Sequence, residues 1–177
     1  ETASDGPTVV YLPAISFSAT ASFFDVVTHP NVPNHRAILV DYFGSGVSDH
    51  PEDFTYSLED HVNSIADLLD EVGCKGATLM GHSMGGTVAI KLAMERPDLV
   101  AKLIVGEGNV TGGGGALVKK VVSVNEAEFV ETIFPRMQAK MFEGAKTGDP
   151  IGTRRNNVWQ NISPLGLYRN AQMLSTV

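Results

Sequence analysis

Ala77-Thr78-Leu79-Met80-Gly81-His82-Ser83-Met84-Gly85-Gly86-Thr87-Val88 is the stretch that decides the reading of this chain. Its first four residues are a short apolar run, which predicts a buried strand. From Met84 to Arg96, Val88, Leu92 and Ala89 or Ala93 recur at helical spacing until Pro97 ends the pattern. A strand that turns at once into a helix holds the residue between them, Ser83, on a tight corner. Side chains two residues before and two after would collide there, so Gly81 and Gly85 meet a steric requirement. The corner raises the serine hydroxyl above the sheet, at the positive end of the following helix. The pattern G-x-S-x-G alone arises often by chance and is compatible with an ordinary turn. Between a strand and a helix it points to an exposed nucleophilic serine.

Working outward, three further runs read as strands: Thr8 to Leu12, Ala37 to Val40, and Leu103 to Val105. None alternates polar with apolar residues, which suggests strands covered on both faces, as in parallel sheets. Helices are expected between them. Ser57 is a suitable N-cap for a helix carrying Leu58, Val62, Ile65, Leu68 or Leu69, and Val72, with Gly73 as its stop. A second is expected from Ser18 to Val27. Strand–helix alternation at these lengths implies right-handed crossovers and a mainly parallel α/β sheet. After the Gly112–Gly115 tract the character changes. Phe129, Ile133, Met137 and Met141 fall four apart, a helical stripe that Pro135 should kink or split. A second apolar group runs from Val158 to Leu174. The chain therefore divides into 1–109, a partial α/β core, and 110–177, a helical lid-like segment. Met137, Met141 and Met173 read as packing residues rather than ligand contacts.

With 177 residues the chain can bury a sizeable core as one domain. Its 20 acidic against 13 basic residues give −7, a poor match to phosphate backbones, so nucleic acid is not an expected partner. No apolar run approaches the length of a membrane span. The single cysteine, Cys74, precludes an intrachain disulfide and a cysteine-based zinc site, and reads as an incidental thiol in a turn. No cluster implies a metal or an organic cofactor. The first residue is Glu1, with no signal-peptide pattern before the first strand; a cytoplasmic setting is favoured, and removal of something upstream stays open.

Together with three further segments, the serine corner resembles the α/β-hydrolase superfamily over roughly residues 5 to 109. Leu12-Pro13-Ala14-Ile15 resembles the oxyanion loop, with Ala14 where glycine is usual. Asp41-Tyr42-Phe43-Gly44-Ser45-Gly46-Val47-Ser48-Asp49 resembles the loop after the second strand, and Ala77 through Val105 resembles the elbow, its helix and the next strand. The resemblance implies a three-layer α/β core and acyl transfer to water. Ser83 would attack the carbonyl of a small-molecule carboxylic ester, and the backbone N–H groups of Ile15 and Met84 would hold the oxyanion. Glu107 stands where some members place the triad acid; otherwise it is a solvated loop carboxylate. Asp41 and Asp49 are expected to brace their loop. A serine at the corner argues against haloalkane dehalogenase or epoxide hydrolase chemistry, which the family performs with aspartate.

A serine needs a general base, and the family supplies it as a histidine after the last strand, beyond anything this chain resembles. The opening hairpin and the final strands are also unmatched, so the chain is expected to be a core lacking both ends. His82 should brace the elbow, His35 lies at the wrong end of the sheet, and His29 and His61 read as surface residues. His50 is the one histidine on the same rim as Ser83. The expected order places 8–12 and 77–80 centrally, leaving 37–40 and 103–105 as open edges. Self-association is therefore expected, by edge pairing or by exchange of the 110–177 segment, aided by Trp159 and Leu167. A serine esterase, truncated or weakened, is the principal reading. The alternative is a non-catalytic hydrolase-fold binding or assembly module.

Overall fold

The computed structural model describes residues 5–177. Four parallel strands form one sheet: β1 (Thr8–Leu12), β2 (Arg36–Leu39), β3 (Ala77–His82) and β4 (Val100–Gly106), in the order β2-β1-β3-β4. This is the expected order, with β1 and β3 central and an edge on either side.

Three helices complete the layers. Helix α1 (Ala19–Val27) is capped by Ser18, whose side chain accepts from the Ala21 N–H. Helix α2 (Leu58–Glu71) is capped by Ser57 through the Asp60 N–H, and α3 (Met84–Glu95) begins directly at Ser83. On one sheet face, Tyr11 and Ala37 pack against Ala19 and Phe23 of α1. On the other, Val10, Leu12, Ile38 and Leu79 meet Val62, Ile65 and Leu69 of α2 and Met84, Val88 and Leu92 of α3. Hydrophobic burial of this two-sided kind accounts for the unbroken apolar strands.

Beyond the glycine tract come α4 (Ala116–Val121), α5 (Glu126–Glu128), a π-turn (Phe129–Ile133), α6 (Phe134–Ala145), α7 (Pro150–Trp159) and α8 (Pro164–Thr176). Helical backbone continues through Pro135, so the stripe is not split as expected; the residue is accommodated in the first turn of α6, directly after the π-turn. Trp159 stacks on Phe134 with centroids 5.8 Å apart. Trp159 and Leu167 are both buried, so they cannot serve the association expected of them; packing among the helices already covers them. No helix among the described residues is long and apolar enough to cross a membrane.

His61 also departs from expectation. It is completely buried, not on the surface. Its Nε2–H donates to Asn170 Oδ1 at 2.6 Å, tying α2 to α8 across 109 residues of sequence. Tyr42, Phe54 and Tyr56 ring it at centroid distances of 5.1, 5.3 and 6.1 Å. Burial lowers its pKa against the opposing pull of Asn170 and Asp60, keeping the imidazole neutral.

Candidate active site

The corner between β3 and α3 has the geometry its glycines require. Ser83 has φ 52° and ψ −118°, outside the allowed regions for an L-residue. Holding a serine there costs about 1–3 kcal/mol, repaid by surrounding contacts. The Ser83 N–H donates to the Gly106 carbonyl at 2.7 Å, and its own carbonyl accepts from Gly86 and Thr87 at 2.9 and 3.2 Å. A β-carbon on Gly81 would overlap the Gly85 carbonyl, and one on Gly85 would overlap the carbonyl of Leu12. The second collision shows that the elbow and the loop after β1 are in van der Waals contact.

That loop is a tight turn. The Phe17 N–H donates to the Ala14 carbonyl at 3.2 Å, with Ser16 at φ 67° in the third position. Glycine usually fills such a position. The Ser16 hydroxyl is buried with no hydrogen-bond partner, a feature no sequence signal announced. Ala14 and Ile15 are buried beside it. Asp41 fixes the loop's exit, its carboxylate accepting from the Ala19 N–H at 2.6 Å and the Val47 N–H at 3.0 Å. Asp41 is thus the brace expected of it.

On the other side, Glu107 follows β4 at φ 56°. Gly86 and Gly108 let this loop approach α3: a β-carbon on Gly86 would lie 2.8 Å from Gly108 Cα. Thr87 Oγ1 donates to the Asn109 carbonyl and accepts from its N–H, both at 3.0 Å. This clamp went unnoticed in the sequence because a threonine inside a helix carries no distinctive pattern. Glu107 Oε2 lies 3.4 Å from His82 Nε2, with 86% of the Glu107 side chain exposed. The fold therefore brings Glu107 to His82, which spans the elbow and the loop after β4.

Among the described residues, the Ser83 hydroxyl has no hydrogen-bond partner. His50 is exposed on the loop after β2, while His35 is buried near the start of β2, its Nε2 2.8 Å from the Tyr11 hydroxyl. No group of three or more His, Cys, Asp or Glu among the described residues is placed to hold a metal ion.

Known proteins are similar to this chain. The chain is 32% identical over 71 residues to haloalkane dehalogenase 2 of Mycobacterium tuberculosis, covering 40% of this chain and 25% of that protein. It is 33% identical over 107 residues to the sn-1-specific diacylglycerol lipase ABHD11 of Mus musculus, covering 59% of this chain and 34% of that one. The esterase EaEST from Exiguobacterium antarcticum superposes with a TM-score of 0.70 at 22% identity, covering 96% of this chain and 66% of that structure; this likeness is one of fold. The matched region thus spans 25% and 34% of these two curated relatives. Residues 7–146 match the family model described as the alpha/beta hydrolase fold, and the chain belongs to the α/β-hydrolase family.

Proposed function

We propose that this chain carries the nucleophile and oxyanion-hole half of a serine hydrolase that cleaves carboxylic esters. The observation that carries the reading is the backbone of Ser83, strained at φ 52° and boxed between Gly81 and Gly85. Such strain persists where the position serves function. Ser83 Oγ attacks the ester carbonyl carbon while a general base takes its proton. The backbone N–H groups of Met84 and Ile15 stabilise the oxyanion, each such donor contributing about 10²–10³ in rate. Collapse breaks the C–O bond, the proton passes to the departing alcohol, and water then releases the acid from the acyl-serine. Glu107 is assigned as the acid of the site, and the 110–177 helices as the lid over the 1–109 core. Serine at the elbow favours an ester over the haloalkane chemistry named for one relative.

The alternative, a non-catalytic binding or assembly module, is favoured by one observation: Ser83 Oγ has no hydrogen-bonding partner among the described residues. Hydrolysis of p-nitrophenyl butyrate by the chain and by Ser83→Ala separates the two. The hydrolase reading expects a rate that falls to background in the variant; equal rates support the module.

Either reading includes self-association through β4, where Leu103, Ile104 and Val105 are 40%, 47% and 39% exposed beside an open edge. Light scattering at micromolar concentration should report a dimer or larger, and a strict monomer would rule the association out.

A further inference from the structure

Beside the oxyanion loop lies a cavity of about 430 Å³ whose lining includes Phe17, Pro150, Ile151, Arg154 and Arg155. Its composition is unusual for a chain of net charge −7: two guanidinium groups, three apolar side chains and no carboxylate among these residues. Arg155 is exposed and has no partner among the described residues. Arg154 meets Asp25 through one nitrogen at 3.3 Å, at a solvent-exposed contact that leaves its other N–H donors free. The apolar wall is also unusual, since Ile151 is 61% exposed at the start of α7.

Phe17 ties the cavity to the loop that carries the proposed oxyanion donor. Ile15, the assigned oxyanion donor, is two residues from Phe17, a step of at most about 7 Å along the chain. The same loop touches the elbow, because Gly85 packs against the Leu12 and Pro13 carbonyls. A neighbouring cavity of about 640 Å³ shares Pro150 and Arg154 and contains Asp41. The Asp41 carboxylate is already satisfied by two backbone N–H groups, so it would repel an anion placed there. Phe17, Pro150, Ile151, Arg154 and Arg155 bring no carboxylate to the smaller cavity, and the one that reaches its arginines, Asp25, is paired with Arg154 at an exposed contact.

We infer that the cavity formed by Phe17, Pro150, Ile151, Arg154 and Arg155 is an acyl-group subsite for esters whose acid portion ends in an anion, as in a dicarboxylic acid monoester. The inference rests on the hydrolase reading above. The apolar residues take the methylene chain, and the arginines take the terminal carboxylate in charge-assisted hydrogen bonds, the geometry guanidinium groups favour. The ester carbonyl then lies toward Ile15.

Equilibrium binding tests the subsite without requiring turnover. Monomethyl glutarate and its uncharged counterpart methyl valerate are titrated into the chain while backbone amide NMR shifts are followed. The charged ligand should bind about tenfold more tightly, with shifts centred on Phe17, Ile151 and Arg155. Arg155→Ala should remove most of that preference, and raising NaCl should shrink it. Arg155→Glu should reverse the sign, favouring methyl 4-(trimethylammonio)butanoate over monomethyl glutarate, and unchanged amide spectra elsewhere verify that both variants fold. Equal binding of charged and neutral ligands, shifts centred elsewhere, or a preference unaltered in both variants would overturn the inference. A chain that binds monomethyl glutarate as described but leaves p-nitrophenyl butyrate intact would keep the subsite and lose the hydrolase reading. The reverse pattern would do the opposite.

Discussion

Strands β3 and β4 lie side by side in register, Leu79 opposite Leu103 and Met80 opposite Ile104, yet they live in different surroundings. Leu79 is fully buried, whereas Leu103 and Ile104 are 40% and 47% exposed. Of their sequences, ATLMGH and VAKLIVG, the exposed one is the more apolar. The difference is one of neighbours: β3 has a strand on each side and α3 across its face, while β4 has a partner on one side only. An apolar run therefore reports that a segment is built to be covered, and the sheet order decides whether this chain covers it.

The largest expected contrast is between matched truncations. Leu79→Ala should destabilise the chain by about 2–5 kcal/mol, the usual cost of emptying a core site, whereas Leu103→Ala should cost less than about 1 kcal/mol. Urea denaturation of both variants checks this, and equal costs would mean that β4 is covered in solution.

The strand ends sharpen the same comparison. Gly85→Ala drives a methyl group into the Leu12 carbonyl and should cost about 1–3 kcal/mol, with loss of any Ser83-dependent activity. A β-carbon on Gly106, which pairs with His82 at the end of β4, would meet His82 Cδ2 at an ordinary 3.6 Å. Gly106→Ala should therefore melt within a few degrees of the parent, about the shift expected for 1 kcal/mol or less.

On the covered side, Asn170→Ala leaves the buried His61 Nε2–H without an acceptor and should cost about 1–3 kcal/mol. His61 also sets a pH dependence. Its folded pKa is lowered, so the unfolded chain binds more protons as pH falls through the ordinary histidine value of about 6.5. Stability from this group is full above that value and is lost as pH falls below it toward the folded pKa. The drop in melting temperature between pH 7.5 and 5.5 should be smaller in His61→Gln. The carboxylates of Asp70 and Asp98, held low by Arg96, lose their contribution only at more acidic pH and leave that window clear.

The smallest effect on stability belongs to Ile104→Lys, within about 0.5 kcal/mol for an exposed edge position. Its readout is association: a lysine in the edge opposes strand pairing, and light scattering should shift toward monomer.

Much of this architecture was legible in the sequence because it rests on local chemistry. Gly81, Ser83 and Gly85 announce a corner, Ser18 and Ser57 announce helix starts, and Gly73 announces a helix end. What escaped was set by distant partners. His61 sits on a helix beside Asp60 and Asn63 and reads as exposed, and only α8, more than a hundred residues later, buries it. Trp159 reads as free until Phe134 is placed against it. Ser16 carries no signal at all, since its buried hydroxyl and positive φ follow from how the loop after β1 meets the elbow. The cavity at Arg155 likewise exists only once α7 lies against Phe17.

The central claim is that Ser83 is a nucleophile, and reaction with a fluorophosphonate followed by intact mass measurement tests it most directly. The account predicts a single phosphonyl adduct on the chain, located at Ser83 by peptide mapping and absent from Ser83→Ala. An unlabelled chain, or labelling that persists undiminished in Ser83→Ala, would contradict it.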